Sequence, residues 1–385
     1  MASGLRARLN AMKAASGNPA PEARPVRPSG VLVRTSRVSL DPVIYRLSPV
    51  GLRRMGWTGG SFDVKKCLFI DTETTGLSGG AGTVAFLVGA GYADGEDFVI
   101  QQYLMREYAD EPELIDKLGE LMARFEHVCT FNGKNFDMPL LQARFTMCRM
   151  RERWRDMENL DLLYPARRAW KLRIGSCRLS RIEAEILSMP REDDLPGSEV
   201  PGRYFEFLKS GDEALLEDII EHNRQDIATL ATLLIKLCEI NDQPEALTDQ
   251  RDLFSMGRSL ERQGEWKTAR ELYRITAIPR PMGTLAALTG ERIAGQANWR
   301  QYHILRRSGD VDGAIAVLRQ MLQRRQMPGS ACIALAKLYE HRRGDCAQAL
   351  QYAKRAKAYP DSEPQDALER RIARLERKLN DVNGG

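Results

Sequence analysis

The sequence predicts an α/β domain on a mixed five-stranded sheet, followed by an all-α domain of helical repeats. Three observations lead there. Short apolar runs of strand length alternate with helix-period segments between residues 67 and 240. Strand signals vanish after residue 250. In the C-terminal third, a glycine-to-alanine spacing recurs three times.

Residues 1–30 are rich in Ala, Arg, Pro and Gly, and Pro19, Pro21, Pro25 and Pro28 break any regular structure. A disordered basic tail is expected, although a mitochondrial transit peptide has the same make-up. No apolar core follows the arginines, which argues against a secretory signal. Cys67–Ile70 reads as the first strand, Thr83–Gly91 as the second and Phe98–Met105 as the third. The short turn at residues 93–97 implies antiparallel pairing. A helix comes next, with Pro112 near its first turn and Leu114, Ile115, Leu118, Leu121, Met122 and Phe125 on one face. Val128–Phe131 is a fourth strand, and a helix beginning near Asp137 carries Leu140, Leu141 and Phe145. Leu160–Leu163 is a fifth strand, and a long helix from about Asp212 to Ile240 closes the domain. Three antiparallel strands and then α–β–α–β–α is the order of a ribonuclease-H-like fold.

In the C-terminal part, Gly264 precedes Ala269, Gly309 precedes Ala314 and Gly344 precedes Ala349, always by five residues. Glycine permits a tight turn between helices and alanine permits close packing. Of the intervals of 45 and 35 residues, the second is close to the ~34 of a tetratricopeptide array, and the first needs an insertion, for which Ile278–Gly283 is the expected break. An unrelated helical bundle is the alternative. The expected division is a tail at 1–30, a catalytic domain at 31–245, repeats at 250–360, and a C-terminal helix and tail at 361–385.

The chain has 385 residues, enough for two domains. Its hydrophobic fraction is 43%, and no run approaches the ~18–20 apolar residues that span a membrane. Seven scattered cysteines without Cys-x-x-Cys spacing point to reduced thiols in a cytoplasmic protein. The net charge of +5 conceals an acidic centre between basic flanks.

Four acids in three motifs carry the chemistry. Asp71 and Glu73 lie in Phe69-Ile-Asp-Thr-Glu-Thr-Thr-Gly76, Asp137 ends Asn132-Gly-Lys-Asn-Phe-Asp137, and Asp226 ends His222-Asn-Arg-Gln-Asp226. Residues two apart on a strand point the same way, so Asp71 and Glu73 share a face. Converging carboxylates repel unless cations hold them together. Oxygen ligands of this kind suit two Mg²⁺ or Mn²⁺ ions acting on a phosphodiester. Structural roles compete: Asp71 and Glu73 as caps of a neighbouring helix, Asp137 as an N-cap, and Asp226 as a surface helix residue.

Together these motifs resemble the DEDD superfamily of 3′–5′ exonucleases. The stretches Gly76-Leu-Ser-Gly-Gly-Ala-Gly-Thr83, Asp194-Leu-Pro-Gly-Ser-Glu-Val-Pro201 with Tyr204, and His222–Asp226 further resemble the YprB-type ribonuclease-H-like family, often followed by tetratricopeptide repeats. The resemblance implies that Asp71 bridges both metal ions, that Glu73 and Asp226 bind one, and that Asp137 holds the other partly through water. His222 stands four residues before the last Asp, where one branch of the superfamily has a Tyr; the branch with a His has it five before. Four apart on a helix share a face. General base, positioning group and structural helix residue all remain open for His222, and Asn223 is a weaker candidate contact.

The glycine-rich stretch at 76–82 lacks the Lys-Ser/Thr of a phosphate-binding P-loop. Between Arg144 and Arg181, eleven Lys/Arg face four Asp/Glu, with Trp154, Tyr164 and Trp170 interleaved. Cations for phosphates and rings for stacking suit a single-strand groove; a solvated face over core aromatics is the alternative. Arg167, Arg168, Lys171 and Arg173 are the expected phosphate contacts, joined by Thr74 and Asn132 from the first two motifs. The expected function is metal-dependent 3′–5′ exonuclease action on single-stranded DNA or RNA. An endonuclease using the same site, or a non-catalytic nucleic-acid-binding platform, are the alternatives. The repeats imply a protein partner.

Overall fold

The computed structural model describes residues 30–76, 82–151, 157–191, 195–278 and 284–383. The expected tail up to residue 29, most of the glycine-rich loop, Trp154 and Asp194 lie outside those residues.

The sheet has six strands, one more than the sequence predicts, in the order β1-β4-β3-β2-β5-β6. The strands are β1 Val31–Ser39, β2 Cys67–Thr74, β3 Ala85–Asp94, β4 Asp97–Met105, β5 His127–Thr130 and β6 Glu158–Asp161. β2, β3 and β4 form an antiparallel meander, whereas β5 and β6 run parallel to β2. The added strand, β1, pairs antiparallel with β4 along its whole length. It is an edge strand carrying Arg34 and Arg37, which pair with Glu217 and with Asp94 and Asp97. Charged side chains on an edge deter pairing with other chains. They also hide the strand among basic, proline-rich neighbours in the sequence.

β2 is buried on both faces up to Ile70. Cys67 and Phe69 face one hydrophobic core, shared with Ile227, Leu230 and Leu234 of the helix Ala214–Asp242. Leu68 and Ile70 face a second core, with Leu114 and Leu118 of the helix Glu111–Met122 and Phe145 of the helix Asp137–Met147. The period-two alternation of β2 therefore sends Asp71 and Glu73 toward the long helix and Thr72 toward the Asp137 helix.

Beyond residue 250, helices Gln250–Arg262, Trp266–Thr276, Thr284–Ser308, Val311–Gln323, Pro328–Leu338, Cys346–Ala356 and Gln365–Asn383 succeed one another. Gly264, Gly309 and Gly344 all turn with positive φ, at 81°, 81° and 69°. Ala269, Ala314 and Ala349 are fully buried at the paired helices. Three helix–turn–helix units result. Between residues 278 and 284, where the sequence suggested an insertion, the chain falls outside the described residues from 279 to 283.

One core runs through the boundary between the two parts. Trp170, 1% exposed, belongs to the same cluster as Leu253, Phe254, Leu260 and Tyr273. Arg54 donates to Glu265 from Nη2 at 2.6 Å and to the Asn241 carbonyl from Nη1 at 2.8 Å. Arg173 Nε lies 2.9 Å from Asp252 Oδ2. Among the described residues, no helix is long and apolar enough to cross a membrane, and the seven cysteines are free.

Candidate active site

The site lies at the carboxyl end of β2. Asp71 pairs in register with Gly89 of β3, and Gly89 pairs with Gln102 of β4. Gly89 has no side chain, and a Cβ there would sit 2.2 Å from Asn223 Oδ1. The gap lets Asn223 descend from the long helix onto the sheet, where it is fully buried. Its Nδ2 donates to Asp71 Oδ2 at 2.9 Å, and its Oδ1 accepts from Gln102 Nε2 at 3.0 Å. Gln102 Nε2 also donates to the Ile220 carbonyl at 2.7 Å. A glycine, a glutamine and an asparagine thus fix the rotamer of the central carboxylate. Asn223 was a weak candidate in the sequence, and Gly89 and Gln102 carry no signal there.

Asp137 opens its helix, and the capping position belongs to Phe136, whose side chain makes no capping bond. Thr72 Oγ1 donates to Asp137 Oδ1 at 2.5 Å. The preceding loop is tied down by Asp161 at the end of β6. Its carboxylate accepts from the backbone N–H of Asn132 at 2.8 Å, of Lys134 at 3.1 Å and of Leu163 at 3.0 Å. Asn132 itself adopts φ 69°, a left-handed conformation that Asn tolerates better than most residues. Sequence reading missed Asp161 because nothing about its spacing separates it from any acid at a strand end.

His222 and Asp226 share a face of the long helix, with His222 Nε2 3.8 Å from Asp226 Oδ2 and 3.9 Å from Glu73 Oε1. An arginine that sequence reading passed over joins them. Arg191 donates to Asp226 Oδ1 and sits 3.1 Å from His222 Nδ1. Glu183 holds its guanidinium from the other side at 2.6 and 2.7 Å, and Thr229 donates to Glu183. Arginine only donates, so Nδ1 of His222 accepts and a neutral ring carries its proton on Nε2. His222 therefore turns a donor toward Glu73 and Asp226.

The carboxyls press on one another. Burial first, then the charges of Asp226, Asp137 and Glu73, raise Asp71 well above the usual carboxylate range. Burial pushes Asp137 up to about 6 against the Thr72 hydrogen bond. Burial also raises Asp226, opposed by Arg191 and His222. Among the described residues, no three His, Cys, Asp or Glu side chains form a finished metal shell. Arg191 occupies Asp226 Oδ1, an oxygen that a cation would use.

The other expected contacts divide. Thr74 is buried and its hydroxyl donates to the Gly76 carbonyl at 2.8 Å. Arg168 donates to the Met55 carbonyl at 2.5 Å, and Arg173 pairs with Asp252 in the first C-terminal helix. Trp170 is core. All three lie on the unexpected helix Leu163–Ile174, where Trp170 packs inside and the two arginines spend a donor each on other parts of the chain. Arg167 and Lys171 are exposed on the same helix. Tyr164, 37% exposed, accepts from Asn135 Nδ2 at 2.6 Å beside the second motif.

Residues 68–238 match the family model described as RNase_H superfamily. That stretch is an RNase H superfamily domain. It runs from β2 into the long helix and contains all four acids, His222, Glu183 and Arg191. The chain is also 28% identical over 329 residues to "Uncharacterized protein YprB" of Bacillus subtilis (strain 168), covering 83% of this chain and 76% of that protein. The likeness thus extends past the RNase H domain into the helical part.

Proposed function

We propose that this chain is a metal-dependent nuclease that removes nucleotides from the 3′ end of single-stranded DNA or RNA. The gathering of Asp71, Glu73, Asp137 and Asp226 from three stretches of sequence, with three carboxyls raised by burial, carries the reading. Such a set is unfavourable as bare charges and favourable around hard divalent cations. Asp71, Glu73, Asp137 and Asp226 would hold two Mg²⁺ or Mn²⁺ ions. When bound, these supply Lewis-acid activation of water and stabilise charge on the phosphate and leaving oxygens.

The chain's own residues do the rest. Asn223 and Thr72 orient Asp71 and Asp137, a role whose loss commonly costs about 10–100-fold in affinity or activity. His222, with a donor on Nε2, orients an oxygen of the substrate or of the attacking water. That makes it a positioning group in preference to a general base. Arg191 leaves positive charge beside Asp226, where a phosphate would approach.

The test is cleavage of 5′-labelled single-stranded DNA and RNA in Mg²⁺, Mn²⁺ or EDTA. A ladder shortening from the 3′ end, absent in EDTA and slowed at least about 10³-fold by Asp71→Asn, is the expected result. Internal cuts would make the enzyme an endonuclease. No cleavage of either polymer by folded protein would leave a binding platform.

A further inference from the structure

We propose that the helical part carries its own binding site for the sugar–phosphate backbone of a single strand. A cavity of about 800 Å³ opens among the helix Thr284–Ser308, the stretch from Pro328 to Arg343 and the helix Gln365–Asn383. Its wall holds Arg306, Arg307, Lys337 and Arg342 together with His303 and His341. No acid stands among the lining residues. The acids nearby are already satisfied. Glu340 is buried and shared by Arg374 and Lys378, and Glu363 is held by Arg371 at 2.7 and 2.9 Å. Arg306, Arg307, Lys337 and Arg342 have no ion-pair partner among the described residues, and all four are exposed.

Four unneutralised cations around one concavity attract a polyanion. Rings at the cavity favour nucleic acid over an acidic peptide. The Arg307 guanidinium lies 5.0 Å from the ring of Trp266, 38% exposed just outside the lining, while Tyr302 beneath Arg306 is buried and offers no face. His303 and His341 present further exposed rings. Arginine forks match phosphate oxygens, and flat faces between them suit stacked bases. A carboxylate peptide would use the charges and leave the rings idle. The choice of nucleic acid as ligand rests on the nuclease reading; the anion site itself does not.

Binding is measured on the full chain by fluorescence anisotropy in EDTA, so that no cleavage is needed. The probes are labelled single strands of RNA and DNA, long enough to reach both sites, and a polyglutamate peptide of equal charge. Arg306→Ala/Arg342→Ala is expected to weaken strand binding at least about tenfold. The slope of log affinity against log salt should fall by about 1.4, since each phosphate contact on a single strand contributes about 0.7. Arg306→Lys/Arg342→Lys should keep most of the slope, and melting curves of both variants should match the parent. Hydrolysis of a dinucleotide, too short to fill both sites, should be unchanged in the alanine variant. Unaltered strand affinity and salt slope would overturn the proposal, and so would tight peptide binding without strand binding. Absence of hydrolysis by the parent, with strand binding and its salt slope intact, would sink the nuclease reading and leave this one standing.

Discussion

Glu183 is 3% exposed, and its carboxylate is balanced by Arg191 and by the Thr229 hydroxyl. Removing Arg191 leaves two buried carboxylates without their cation. Arg191→Ala is therefore expected to cost about 3 kcal/mol, as breaking buried pairs does. Arg191→Ala/Glu183→Gln should recover part of that in urea unfolding, because the glutamine needs no counterion. His222 is separable from the acids. His222→Gln keeps a donor and is expected to stay within about tenfold of the parent rate, whereas loss of a general base would cost roughly 10²–10⁴. The four acids were legible in the sequence because each sits in a recognisable motif on a recognisable element. Strand alternation set Asp71 and Glu73 on one face, and helical spacing did the same for His222 and Asp226. Arg191 was not legible. It lies between elements, and its partners are 8, 31 and 35 residues away. Only the packing of the chain brings Glu183, His222 and Asp226 to one guanidinium.

At the scale of elements, β3 is shaped by what it lacks. Gly89→Ala would drive a methyl into Asn223, costing about 1–3 kcal/mol by overpacking. The same variant should slow cleavage by displacing Asn223 from Asp71. Adding Asn223→Ala should restore stability while leaving cleavage slow, which a purely steric role for Asn223 would not produce. The meander, the parallel pair and the long helix were readable from apolar runs and turns. β1 and the helix Leu163–Ile174 were not. β1 is an edge strand with arginines outward, so its alternation is weak. In the helix, Ala166, Ala169, Trp170 and Ile174 are buried at helical spacing, but the cations between them dominate the sequence. Trp170 is a core aromatic, as the alternative reading had it, and Arg173 reaches across the seam to Asp252.

Across the whole molecule, that seam has a pH signature. Burial pushes the Asp252 carboxyl up to about 7, against Arg173 and Arg251. A folded value above the unfolded one, about 3.9, means its contribution is fully present below about pH 4 and lost as pH rises through about 7. Asp252→Asn should thus match the parent below about pH 4, draw ahead between about pH 4 and 7, and exceed it above that on the order of 1–2 kcal/mol in thermal or urea unfolding. Equal stability across that range would show that Asp252 exerts no such pull. Truncation after residue 245 would strip Leu253, Phe254, Leu260 and Tyr273 from the core around Trp170. The shortened chain is expected to aggregate or to melt far below the parent; a soluble fragment with the parent's melting point would show that the two parts fold independently.

The same continuous core turns anchoring into measurement. If the proposed sites keep one separation on this frame, a strand too short to span it is held by one of them alone. Trimming should then proceed quickly on long strands and falter at a characteristic remnant. The frame would act as a ruler, and its length would appear as the size at which products accumulate.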